Sequence, residues 1–260
     1  MNVKKTKFRR ILIVAAAVVM VLGMSSVSFA ANDTGTIDVY ITVERTLVGN
    51  ADPILEPTKV TVPAGSTIFD VLEELEADGD IDFTSTGSTG NHYVTGFKAP
   101  SLPAFNYQTD YEFWNEFDEA AGGMGDIYFE YGTTPSGNFL SEGNYCMLSG
   151  WIVSLNNSIV WDDPDTSENE ANPTADTVLS DGDVVRWQYS FALARDCGYT
   201  GWDLLTLSDL EPGFYSAAVK SDLIKKMADN PTSESYANAM LALKGMDANQ
   251  DTVDNIVNTY

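Results

Sequence analysis

Few residues in this chain are of types that do chemistry. The single histidine, His92, lies in Gly90-Asn91-His92-Tyr93 and reads as a polar loop residue, since there is no Gly-x-Ser-x-Gly elbow to supply it with a serine nucleophile. His-Glu-x-x-His and phosphate or dinucleotide loops are also missing. With 38 Asp and Glu residues in the sequence, carboxylate pairs for glycoside hydrolysis are too abundant for any one of them to be informative. Asp247-x-Asn249-x-Asp251 opens like a calcium loop, but Thr252 stands where the loop needs Gly and Asn258 where it needs Glu, so Asp247 is expected to cap a helix instead. The acidic run Asp162-Asp163-Pro164-Asp165, with Glu168 and Glu170, is expected to be a solvated loop.

The chemistry that remains is binding. Trp151 and Trp187 offer indole plates, and an outward-facing indole beside Asn156 and Asn157 would be an apolar surface with amide donors and acceptors at its rim. Trp161 and Tyr189 complete this candidate ligand-binding set. The alternative is that both tryptophans belong to the core.

These residues need strands to hold them. Trp151 to Leu155 reads as a strand ending in the Asn156-Asn157 turn, and a further apolar run covers Ser158 to Trp161. After the turn Ser180-Asp181-Gly182-Asp183, Val185, Trp187, Tyr189 and Phe191 alternate with Arg186, Gln188 and Ser190, the period of a half-buried strand. Upstream, Ile37, Val39, Ile41 and Val43 mark another strand, followed by Lys59 to Val62. Thr67-x-x-Asp70 then opens a helix whose face is Ile68, Val71, Leu72 and Leu75, ending near Asp78-Gly79. Strand, strand, helix and further strands give an α+β fold, a β-grasp-like mixed sheet with one covering helix.

A long aromatic-rich insertion, at about 97–145, interrupts that order with Phe105, Tyr107, Tyr111, Phe113, Trp114, Phe117, Tyr128, Phe129, Tyr131, Phe139 and Tyr145. Most of these rings are expected to pack the excursion onto the sheet, and a few to be exposed. Beyond Gly201-Trp202, Pro231 and Gly245 separate three short helical patterns, a small appendage over 204–260.

Two stretches, Gly150-Trp151-Ile152-Val153-Ser154-Leu155-Asn156-Asn157 and Leu179-Ser180-Asp181-Gly182-Asp183-Val184-Val185-Arg186-Trp187-Gln188-Tyr189, resemble the C-terminal domain of transcobalamin and intrinsic factor, as found in secreted bacterial proteins. Val60-Thr61-Val62-Pro63-Ala64-Gly65-Ser66-Thr67 resembles that family's entry into its helix, so the likeness covers about Ile37 to Tyr199, with one long interruption, within a domain of 31–203. Leu155 stands where the family usually has Val. The resemblance implies cobalamin or another corrinoid as ligand, although the helical barrel that forms the other half of the site in those proteins has no counterpart here.

Composition fixes the setting. Lys4, Lys5, Lys7, Arg9 and Arg10 precede an apolar run from Ile11 to Gly23 and a small-x-small site at Ser28-Phe29-Ala30, so 1–30 reads as a secretory signal peptide. Its loss removes five basic and no acidic residues, moving the formal charge from −24 to −29. That charge argues against nucleic acid, and no transmembrane segment is expected after cleavage. In an exported chain Cys146 and Cys197 are expected to bridge, which would stabilise by about 4 kcal/mol on the chain-entropy model; two free buried thiols are the alternative. The expectation is a secreted or cell-surface binding module, not an enzyme, for a flat small molecule such as a corrinoid. Second to it stands a structural or adhesive protein that contacts a glycan or a cell-surface protein, and behind that a carbohydrate-active enzyme.

Overall fold

The computed structural model describes residues 35–159, 173–246 and 248–260, and Gly35–Tyr260 form one compact unit. Alternating β-branched residues make β1 (Thr36–Glu44) and β2 (Leu55–Pro63), an antiparallel pair. Pro63 ends β2, and α1 (Ile68–Asp78) follows with a complete capping box. Thr67 Oγ1 accepts from the Asp70 backbone N–H, while the Asp70 carboxylate accepts from that of Thr67. Gly79, at φ 82, terminates the helix in the left-handed conformation that costs glycine little.

The hairpin β3 (Phe83–Ser88) and β4 (Asn91–Lys98) comes next, and the insertion leaves it through three short helices, α2 (Tyr107–Asp110), α3 (Trp114–Ala120) and α4 (Gly125–Glu130). It returns as β5 (Phe139–Ser141), which pairs with β4. The remaining sheet strands are β6 (Gly150–Leu155) and β7 (Val184–Ser190); β8 (Gly201–Trp202) and β9 (Leu210–Glu211) make a small hairpin beyond them. The chain closes with α5 (Ser221–Asp229), α6 (Tyr236–Lys244) and α7 (Gln250–Thr259), the last capped by the Asn249 side chain. Asp247, expected to be the cap, lies outside the described residues.

The main sheet runs β2-β1-β7-β6, with β1 and β7 parallel at its centre and both outer pairs antiparallel. This is the mixed, helix-covered α+β sheet expected of the sequence. The turn before β7 is locked by chemistry visible in its residues. Ser180 N–H donates to the Asp183 carboxylate, Gly182 N–H to Asp38 O, and Asp38 N–H to the Asp181 carboxylate.

One expectation fails here in an informative way. Every residue of β7 is buried, so the strand is not half exposed. Val185, Trp187 and Tyr189 join the core under α1 and the insertion, where Tyr111, Phe113, Phe117 and Phe129 are also buried. Val184 joins a second core with Tyr40, Leu223, Ile224, Met227, Ala239 and Leu243 from the terminal helices. Those helices lie on the reverse face of the sheet, closing it as a third layer.

The polar residues that alternate along β7 are therefore satisfied internally. Arg186 donates through Nε and Nη2 to both oxygens of Glu44 at 2.8 Å, and through Nη1 to Asn157 Oδ1 at 3.1 Å. Burial works against the charge on Arg186, but the Glu44 carboxylate outweighs it and holds the guanidinium protonated.

Candidate functional site

Three segments meet beside the two tryptophans. Position 92 lies on the hairpin of β3 and β4, Trp151 on edge strand β6, and Trp187 one strand further in on β7. The third segment, 173–179, is fixed by the start of α1, whose free N–H groups need acceptors. Ile68 N–H donates to Thr177 O at 3.0 Å and Phe69 N–H to Ala175 O at 2.7 Å. Asp176, between these two carbonyls, is thereby aimed at the hairpin.

Asp176 organises what it faces. One carboxylate oxygen accepts from His92 Nδ1 at 2.6 Å and from Gly90 N–H at 3.2 Å; the other accepts from His92 N–H at 2.6 Å. Partial burial opposes its charge, but these donors prevail and hold the carboxyl below the usual range. The His92 ring lies flat on Phe69, with centroids 3.8 Å apart and planes 2° apart. A carboxylate can only accept, so Nδ1 carries the proton, and in the neutral imidazole Nε2 then keeps its lone pair. Nε2 has no hydrogen-bond partner among the described residues.

These groups border a cavity of about 350 Å³. Trp151, Trp187, Val94, Val153 and Ile159 supply apolar wall, and Asn91, His92 and Asp176 supply polar edge. Its size lies at the lower end for small-molecule sites. Behind the wall, Phe97 meets Trp151 edge-on at 4.8 Å and Trp187 at 5.6 Å. Trp151 Nε1 donates to Leu140 O at 2.8 Å, which fixes the indole; Trp187 Nε1 has no partner among the described residues.

The residues singled out from sequence are distributed unevenly around this cavity. Trp151 and Trp187 line it while being 9% and 4% exposed, so each is both core and wall. Tyr189 is buried among Ser141, Asn144 and Ser149, with its hydroxyl 2.8 Å from Ser141 O and from Ser149 Oγ. Asn156 is spent on the turn: its amide donates to Asp183 Oδ1, and its carbonyl oxygen accepts from Val184 N–H. Asn157 Oδ1 accepts from Arg186. Trp161 and the acidic run 162–170 lie outside the described residues. His92, read from sequence as a loop residue, is on β4 at the cavity edge. Asp176 had no signal in the sequence, because its partner is 84 positions away.

The expected disulfide is absent: Cys146 and Cys197 are free, buried and not within bonding distance. Flanking the same strand does not bring two Cβ atoms to the roughly 4 Å that a bridge requires. Asp196 ties that end of the sheet instead. Buried within the core, it accepts from Ser190 Oγ at 2.6 Å, Phe191 N–H at 2.8 Å and Tyr111 Oη at 2.8 Å, joining β7 to the insertion.

No family model and no curated protein matches the chain. Among the described residues no cluster of His, Cys, Asp and Glu is suited to hold a metal, and no helix is long and apolar enough to cross a membrane.

Proposed function

We propose that this chain is a secreted binding module, not an enzyme, and that it holds a flat small molecule in the cavity beside Trp151 and Trp187. The observation that carries this is the cavity's construction: two fixed indoles and branched aliphatic side chains form its wall, with a small polar edge at His92. That is the composition by which proteins bind flat organic ligands. The basic leader at 1–30 and the acidic remainder support export and weigh against nucleic acid as a partner. A corrinoid is larger than this cavity, so it would lie across the mouth with only an edge inserted.

The test is calorimetric titration of the purified protein with cobalamin and with bicyclic aromatics, repeated with Ile159→Trp. Ile159 is a half-buried residue of the wall, and a tryptophan there fills the cavity. Binding that falls at least tenfold in this variant supports the reading. Equal binding by the variant, or turnover of the bound compound, overturns it.

A second reading, an adhesive surface for a glycan or a cell-surface protein, is favoured by Met124, Ile127, Tyr131 and Met147, which are exposed on and beside α4. Retained glycan binding by a protein whose cavity takes no ligand would favour it over the first.

A further inference from the structure

We propose that the cavity selects uncharged aromatic ligands that carry a hydrogen-bond donor, a hydroxyl or ring N–H, which is given to His92 Nε2. This rests on the binding reading above and names the ligand class for the same site.

The argument begins with what His92 has already committed. One ring face is on Phe69, and the Nδ1 edge is on Asp176. Both ring and carboxylate border the cavity, so the Nε2 edge is the part of the imidazole left for an occupant. With the proton held on Nδ1, that edge of the neutral imidazole presents a lone pair and accepts. A ligand that offers only an acceptor at this point would set two lone pairs against each other. A donor meets the lone pair and avoids leaving a polar atom unpaired at an apolar wall.

Charge narrows the class further. An anion would face the Asp176 carboxylate as well as the lone pair. A cation gains little from that carboxylate, because its oxygens already take the Gly90 N–H, the His92 N–H and the imidazole. It would also lose its hydration against Trp151, Trp187 and Val94. The neutral donor-bearing ring, such as a phenol, an indole or an azole, is what remains.

His92 is the only histidine in the chain, so its imidazole nitrogens are assigned without ambiguity in nitrogen-15 NMR. The free protein should show a protonated Nδ1 and an unprotonated Nε2. Titration with 2-naphthol should move the Nε2 resonance toward hydrogen-bonded values, and 2-methoxynaphthalene, of the same shape without the donor, should bind at least tenfold more weakly. His92→Phe, which keeps the stack on Phe69, should abolish that preference. An Nε2-protonated tautomer, an Nε2 signal unmoved by bound naphthol, or equal affinity for the two compounds overturns the donor rule while leaving the cavity a binding site. Failure of both compounds to bind removes the binding reading and the donor rule together.

Discussion

At the scale of single residues, burial decides which reactive groups are available. Cys146 and Cys197 are the only thiols, and both are shielded. Burial pushes the Cys146 thiol up to about 12, and Cys197 is raised well above its ordinary value by burial and by the neighbouring Asp196. A thiol that does not ionise does not alkylate. Folded protein at mildly alkaline pH should therefore take up no iodoacetamide over a period in which unfolded, unreduced protein takes up two equivalents per chain, as read by intact mass. Uptake of none by the unfolded, unreduced chain would mean that a disulfide exists after all. The presence of two cysteines was legible from sequence; their separation was not, because it depends on how the insertion returns to the sheet.

At the scale of elements, Asp176 latches the hairpin of β3 and β4 to the segment that caps α1. Its carboxyl is held below the usual value of 3.8, so the latch lends full stability above that pH and loses it as pH falls through the lowered folded value. Protection against amide exchange at Gly90 and His92, relative to the intrinsic rate at each pH, should accordingly fall on acidification below the ordinary carboxylate range. Asp176→Asn should show that lower protection already at neutral pH and little further change on acidification. Exchange that is indifferent to the substitution would mean that the hairpin is held by its strand pairing alone. The elements themselves were readable: Thr67 and Asp70 announced a capping box, and Gly182 with Asp181 and Asp183 announced the turn into β7, because each acts within a few residues of itself. The latch was not readable, because it joins residues on either side of the insertion.

At the scale of the whole molecule, the terminal helices complete the sheet. Leu223 and Leu243 are fully buried in the core formed with Tyr40 and Val184. Leu223→Ala and Leu243→Ala should each destabilise by about 2–5 kcal/mol, with near- and far-ultraviolet dichroism still melting together in one transition at lower temperature. Separate melting of helices and sheet would show that the segment is only a spacer. On the same face of the sheet Glu44 and Arg186, beside Asn157, Tyr199 and Tyr215, are buried and bidentate, a pair whose single loss costs about 3–5 kcal/mol.

By itself the sequence determined the strands β1, β2, β6 and β7, the covering helix with its cap and the mixed α+β class, because alternation, capping and turn chemistry are encoded within short windows. Tertiary structure alone decided that both faces of β7 are covered, that the two thiols stay apart, that Asn156 and Asn157 serve the fold, and that Asp176 points His92 at a cavity. Each of these depends on two distant segments arriving at one place, and nothing in a local window records the distance between them.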